Sequence, residues 1–175
     1  MSSVMDRVNA FSAVRFVEMF GALYEHSPWI AQRAYAHAPF ADVQAMLAAM
    51  RAELDRADDA EKMALIRAHP ELAQRMGVDP TLTSASAAEQ ASAGLDRLTP
   101  EEFTQFRALN DAYAARFGIP FIICVRRSDK AGILNGIQTR LENTPEVEQQ
   151  TALAEINKIA ALRLADVLER MEHEA

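Results

Sequence analysis

His69, Ser86, Glu89, Gln90 and Arg126 place an imidazole, a hydroxyl, a carboxylate, a side-chain amide and a guanidinium within one stretch of the chain. The stretch is punctuated by His69-Pro70, by a Ser-x-x-Glu helix-start pattern at 86–89, and by Phe117-Gly118-Ile119-Pro120. An imidazole beside a carboxylate can donate and accept protons near neutral pH. An amide can orient a polar ligand, and a guanidinium can hold a carboxylate through two parallel hydrogen bonds. The set therefore suits acid–base work on a small polar acid.

Each residue also has a plainer reading. His69 can be a junction residue whose ring bonds a backbone carbonyl, and Ser86 with Glu89 matches a capping box, which would commit both side chains to the backbone. Arg126, like Arg127, can be solvated surface, and Cys124 reads as a small buried residue. The sharper reading rests on direction. Pro70 restricts the backbone before it, and a helix beginning at Pro70 would favour a neutral His69 ring, while the end of the preceding helix pulls the other way. Arg126 closes an apolar run that should be buried, so its guanidinium could face a dry, concave site. Both readings stay open on spacing alone.

Composition narrows the class. With 175 residues, half of them hydrophobic and a quarter charged, the chain can bury a substantial core, and a single domain over 1–175 with its core at about 11–168 is expected. A formal net charge of -7 opposes adhesion to nucleic acid or to an anionic membrane. No apolar run approaches the roughly 18 residues of a membrane span. One cysteine and no signal-peptide pattern point to the cytoplasm. His26, His37 and His173 lack zinc-motif spacing, and no glycine-rich phosphate loop is present, so neither a metal nor a cofactor is expected.

The elements that must position these groups read as helices. Apolar spacing predicts helices over 9–23, 30–37, 43–54 and 60–68, the second opened by Ser27 as cap and Pro28 as first residue. Another starts at Ser86. Thr99-Pro100-Glu101-Glu102 opens a helix that carries Phe103, Phe106, Asn110, Tyr113 and Phe117 on one face and stops at Gly118. Asp129 caps a helix to about Asn143, and Thr144-Pro145-Glu146 opens the last, to about Met171. Ile119 to Val125 is the only strand-like run; without a partner strand it is expected as an extended buried connector near 119–126. The fold class is all-α, a single compact multi-helix domain. The apolar repeat of the last helix permits a homodimer surface.

These residues together resemble the 2-oxo-4-hydroxy-4-carboxy-5-ureidoimidazoline (OHCU) decarboxylase family. The resemblance is carried by Glu25-His26-Ser27-Pro28-Trp29, His69-Pro70-Glu71-Leu72, Ser86-x-x-Glu89-Gln90 with Ala93-Gly94-Leu95, Leu109-Asn110-x-x-Tyr113, Phe117-Gly118-Ile119-Pro120-Phe121, and Lys158-Ile159-Ala160 with Arg163-Leu164. It implies an all-helical fold and a cofactor-independent decarboxylation of OHCU to (S)-allantoin in urate degradation. It further implies His69 as the catalytic residue, with Pro70, Ser86, Glu89, Gln90, Ile119, Phe121, Ile122, Ile123 and Arg126 at the ureidoimidazoline site; in the mechanism expected here Glu89 shares the catalytic work with His69. Two other readings stand beside it: a lyase acting on a different ureido acid, and a non-catalytic helical module that binds a metabolite or partner.

Overall fold

The computed structural model describes residues 3–174, and no strand occurs among them. The α-helices are α1 Val4–Asn9, α2 Ala13–Phe20, α3 Trp29–Ala34, α4 Val43–Arg56, α5 Asp59–Ala68, α6 Ser84–Ser92, α7 Pro100–Phe117, α8 Lys130–Arg140 and α9 Pro145–His173. Short 3-10 turns occupy Tyr35–His37 and Val125–Arg127. The all-α expectation holds; of the connector expected near 119–126, 119–124 is neither helix nor strand and mostly buried, while Val125–Arg127 is a 3-10 turn with Arg126 exposed.

Several boundaries differ from the sequence reading. The helix expected over 9–23 is confined to Ala13–Phe20, because α1 ends at Asn9 and Ser12 caps a new start by accepting from the Arg15 N–H; Val14 in it is exposed. Ser27 does not cap α3. Its hydroxyl donates to the Glu25 carbonyl instead, and Pro28 holds the cap position without a side-chain bond. The later helices start and stop as their caps dictate. Thr99 and Glu102 form a reciprocal capping box at α7, and Gly118 ends that helix at φ 67, a conformation glycine reaches without the Cβ penalty.

The contacts fall into two compact units. The first is built from both ends of the chain, 3–65 and 157–174. Phe16 and Phe20 are fully buried at its centre, with Phe16 5.3 Å from Tyr35 and 5.8 Å from Phe40, ring centre to ring centre. Met46, Met50 and Leu54 supply the buried stripe of α4, which packs on α3. The distant segments are joined by polar contacts inside the core. Arg163 pairs with Glu25 at 2.8 Å, both buried, and the Tyr24 hydroxyl donates to Asn157 Oδ1 at 2.8 Å.

The second unit is the continuous segment Ile66–Ile156. Phe106, Tyr113, Phe121, Ile133 and Ile137 form its interior, and α7 packs on α8. All the residues that the sequence reading singles out for chemistry lie in this unit.

Candidate functional site

α5 stops at Ala68 because Pro70 disfavours helical geometry at the residue before it. His69 follows in a bend, 7% exposed, with its backbone N–H donating to the Ile66 carbonyl at 3.2 Å. The sequence reading has Pro70 opening a new helix. Instead, residues 70–83 run as turns and loop, Ala73 takes φ 50, and the next helix begins at Ser84. The helix end that adjoins His69 is therefore the C-terminus of α5, and no helix N-terminus follows it before Ser84.

The second correction concerns α6. Its cap is Thr83, whose hydroxyl accepts from the Ser86 N–H at 3.3 Å, so Ser86 stands at the third helical position and does not form a capping box with Glu89. Ser86, Glu89 and Gln90 are then spaced to share one helix face. Ser86 and Gln90 are buried, and Glu89 is half-buried.

Gln90 fastens the loop after His69. Its Oε1 accepts from the Ala73 N–H at 3.2 Å and its Nε2 donates to the Glu71 carbonyl at 3.3 Å. From α7, Asn110 donates to the Leu72 carbonyl at 2.7 Å and Arg107 pairs with Glu71 at 3.0 Å. Sequence reasoning gives Arg107 and Asn110 no part in the site. The available signal was Asn110 itself, an amide on the apolar face of a helix, which calls for a buried partner.

On the connector, Ile119, Phe121 and Ile122 are buried while Ile123 is half-buried. Phe121 meets the edge of Tyr113 at 5.3 Å and lies under the Arg140 guanidinium at 4.3 Å, so its ring belongs to the interior and its backbone is what a substrate could meet. Lacking a strand partner, the connector bonds to side chains: the Cys124 N–H donates to Glu155 at 2.9 Å and the Ile122 carbonyl accepts from Arg140 at 2.6 Å. Val125–Arg127 packs against α6, which brings Arg126 alongside the helix of Ser86 and Glu89. Arg126 is exposed, so the dry setting anticipated for it is not what the structure has.

The electrostatics trace the same neighbourhood. Burial pushes the Cys124 thiol up, the Arg127 charge opposes this, and the carboxylates of Glu155 and Glu89 add to it. The Glu89 charge is thus felt at the end of the connector. Burial also raises the Tyr113 phenol, reinforced by its hydrogen bond to Glu148 and opposed by Arg140, which keeps it a donor.

A cleft of about 290 Å³ is lined by Gln90 together with Gln74, Asp79, Ala87 and Leu95 among others. Of the predicted site residues only Gln90 lines it. Among the described residues no group of three or more His, Cys, Asp or Glu is arranged to hold a metal ion.

Known proteins resemble this chain across nearly its whole length. A family profile described as OHCU decarboxylase matches residues 9–165. A 2-oxo-4-hydroxy-4-carboxy-5-ureidoimidazoline decarboxylase of Haloferax volcanii is 39% identical over 162 residues, covering 93% of this chain and 94% of that protein. The Mus musculus protein of the same name is 36% identical over 171 residues, 98% of this chain and 96% of its own. A crystal structure of (S)-allantoin synthase superimposes with a TM-score of 0.75 at 28% identity, covering 95% of this chain and 54% of that one.

Proposed function

The chain belongs to the OHCU decarboxylase family, and from that premise we propose that it is a carboxy-lyase that converts OHCU to (S)-allantoin in urate degradation. The observation that carries the reading at the site is the convergence on α6. One face of that helix presents Ser86 and Glu89, Gln90 ties it to the His69 loop, and the Arg126 turn packs against it. The family match runs through both units, which supports treating 1–175 as one functional domain.

The chemistry needs little beyond positioning. The substrate bears its carboxylate on a ring carbon that also carries a hydroxyl, next to a ring carbon double-bonded to nitrogen. When the C–CO2 bond breaks, the electron pair passes into that neighbouring double bond, so the substrate supplies its own sink and the reading calls for no cofactor. A proton then enters at the ureido-bearing carbon while the hydroxyl becomes a carbonyl. In this proposal His69 and Glu89 hold the hydroxyl and ring so that the breaking bond overlaps the π system, and His69 moves the proton on one face, which fixes the handedness. Ser86, Gln90, Pro70 and the Ile119–Ile123 backbone frame the ring. Arg126 and backbone N–H groups hold oxygens where charge develops.

The test is circular dichroism of OHCU generated in place from urate by uricase and hydroxyisourate hydrolase. Rapid growth of an (S)-allantoin signal, lost in His69→Asn, is the expected result. A folded His69→Asn protein with normal turnover and handedness removes His69 from its role, and a wild-type chain that leaves the spontaneous background unchanged refutes the activity.

Two coarser points accompany the reading. Among the described residues no helix is long and apolar enough to cross a membrane, and the single buried cysteine supports a cytoplasmic setting. Homodimerisation belongs to the proposal as well. Ile156, Ala160, Leu164 and Leu168 of α9 are already buried within the chain, so a second copy must use other surface, and sedimentation that yields one or two chain masses decides it.

A further inference from the structure

We propose that Arg140 is a positioning residue that aims the Ile123 N–H of the connector at the substrate, an inference that rests on the substrate-binding role given above to Ile119–Ile123. An extended segment without a sheet has no ladder to fix the direction of its peptide groups, so side chains must do it. Arg140, 8% exposed, does this at Ile122: Nη1 donates to the carbonyl at 2.6 Å while the guanidinium lies 4.3 Å from the centre of the Phe121 ring.

The peptide plane transmits the effect. A trans peptide is rigid and carries its C=O and the following N–H on opposite sides, so drawing the Ile122 carbonyl toward Arg140 turns the Ile123 N–H the other way.

Arg140 is itself held. Its Nε donates to Glu148 Oε1 at 2.6 Å and its Nη2 lies 2.5 Å from the same oxygen. Glu148, fully buried, also accepts from the Tyr113 hydroxyl at 2.5 Å and from Asn143 Nδ2 at 3.0 Å. A buried ion pair is weak support for stability, because well-packed apolar residues of similar size do as well or better. Stability alone therefore accounts poorly for the arrangement, whereas fixing one carbonyl accounts for the spare guanidinium donor.

The experiment compares KM, kcat, product handedness and thermal unfolding for three variants. Arg140→Lys keeps the charge opposite Glu148 but cannot also span to Ile122 and cover Phe121, and it is expected to raise KM at least tenfold. Tyr113→Phe removes a bond from the same cluster without touching Ile122; it is expected to lower the melting temperature and leave KM within twofold. R140M/E148L/Y113F replaces the whole cluster with apolar groups and is expected to fold and to share the KM defect of Arg140→Lys. Folded Arg140→Lys or triple variant with KM and handedness within twofold of wild type overturns the proposal, as does failure of both to fold, which makes the cluster purely structural. A wild-type protein with no activity on OHCU refutes the proposed function instead.

Discussion

Cys124 shows how a single residue reports on its surroundings. Its thiol is buried, and burial raises it above the ordinary range against the opposing charge of Arg127, with Glu155 and Glu89 adding to the rise. A raised value means less thiolate at a given pH, and thiolate is the form that reacts. Iodoacetamide at pH 8 should therefore modify the native protein at least tenfold more slowly than the urea-unfolded chain. Equal rates would show that the connector end is open. The sequence reading of Cys124 as a buried bystander survives. At Arg126 the plainer reading of a surface cation fits the exposure, and the sharper one needed a dryness that a residue at the end of an apolar run does not guarantee.

At the scale of elements, the cap decides what a helix leaves for chemistry. Thr83 takes the capping duty at α6 and so places Ser86 and Glu89 inside the helix. Thr83→Ala should cost about 1 kcal/mol in urea unfolding and speed exchange of the Ser86 amide, which loses its acceptor. An unchanged Ser86 exchange rate would return the cap to another residue. The sequence made α7 legible because its start, stripe and stop all agreed. It made 9–23 illegible because apolar periodicity ran across Ala10–Ser12, and the cap signal of Ser12 was outvoted by the stripe. The loop after His69 is hidden in the sequence for a related reason: Pro suits a first helical turn, but nothing after Pro70 sustains a helix before Thr83. The pairing of Gln90 with Glu71 and Ala73 lay beyond spacing altogether, since an amide can serve backbone or substrate equally well.

Across the whole molecule, the contacts hardest to foresee are those between distant segments. Arg163 and Glu25 are separated by 138 positions, and neither looks unusual in its own helix or turn. Arg163→Met leaves the buried Glu25 carboxylate without this partner, an imbalance that costs about 3–5 kcal/mol. In a chain of this size that is a fall on the order of 10 °C in melting temperature, measurable by calorimetry. A fall of only a degree or two would mean that Glu25 is satisfied otherwise. Because the pair belongs to the unit that holds none of the predicted site residues, the folded fraction should keep its KM.

That division of the chain also sets an order of assembly at the ribosome. Residues 3–65 precede Ile66–Ile156 in the chain but lack Asn157 and Arg163 until α9 has been synthesised, whereas every residue of Ile66–Ile156 is already available by then. Domains ordinarily complete from the N-terminus as they emerge. Here the inner segment can close before the outer one, so Tyr24 and Glu25 wait for Asn157 and Arg163 while the whole of Ile66–Ile156 is made between them.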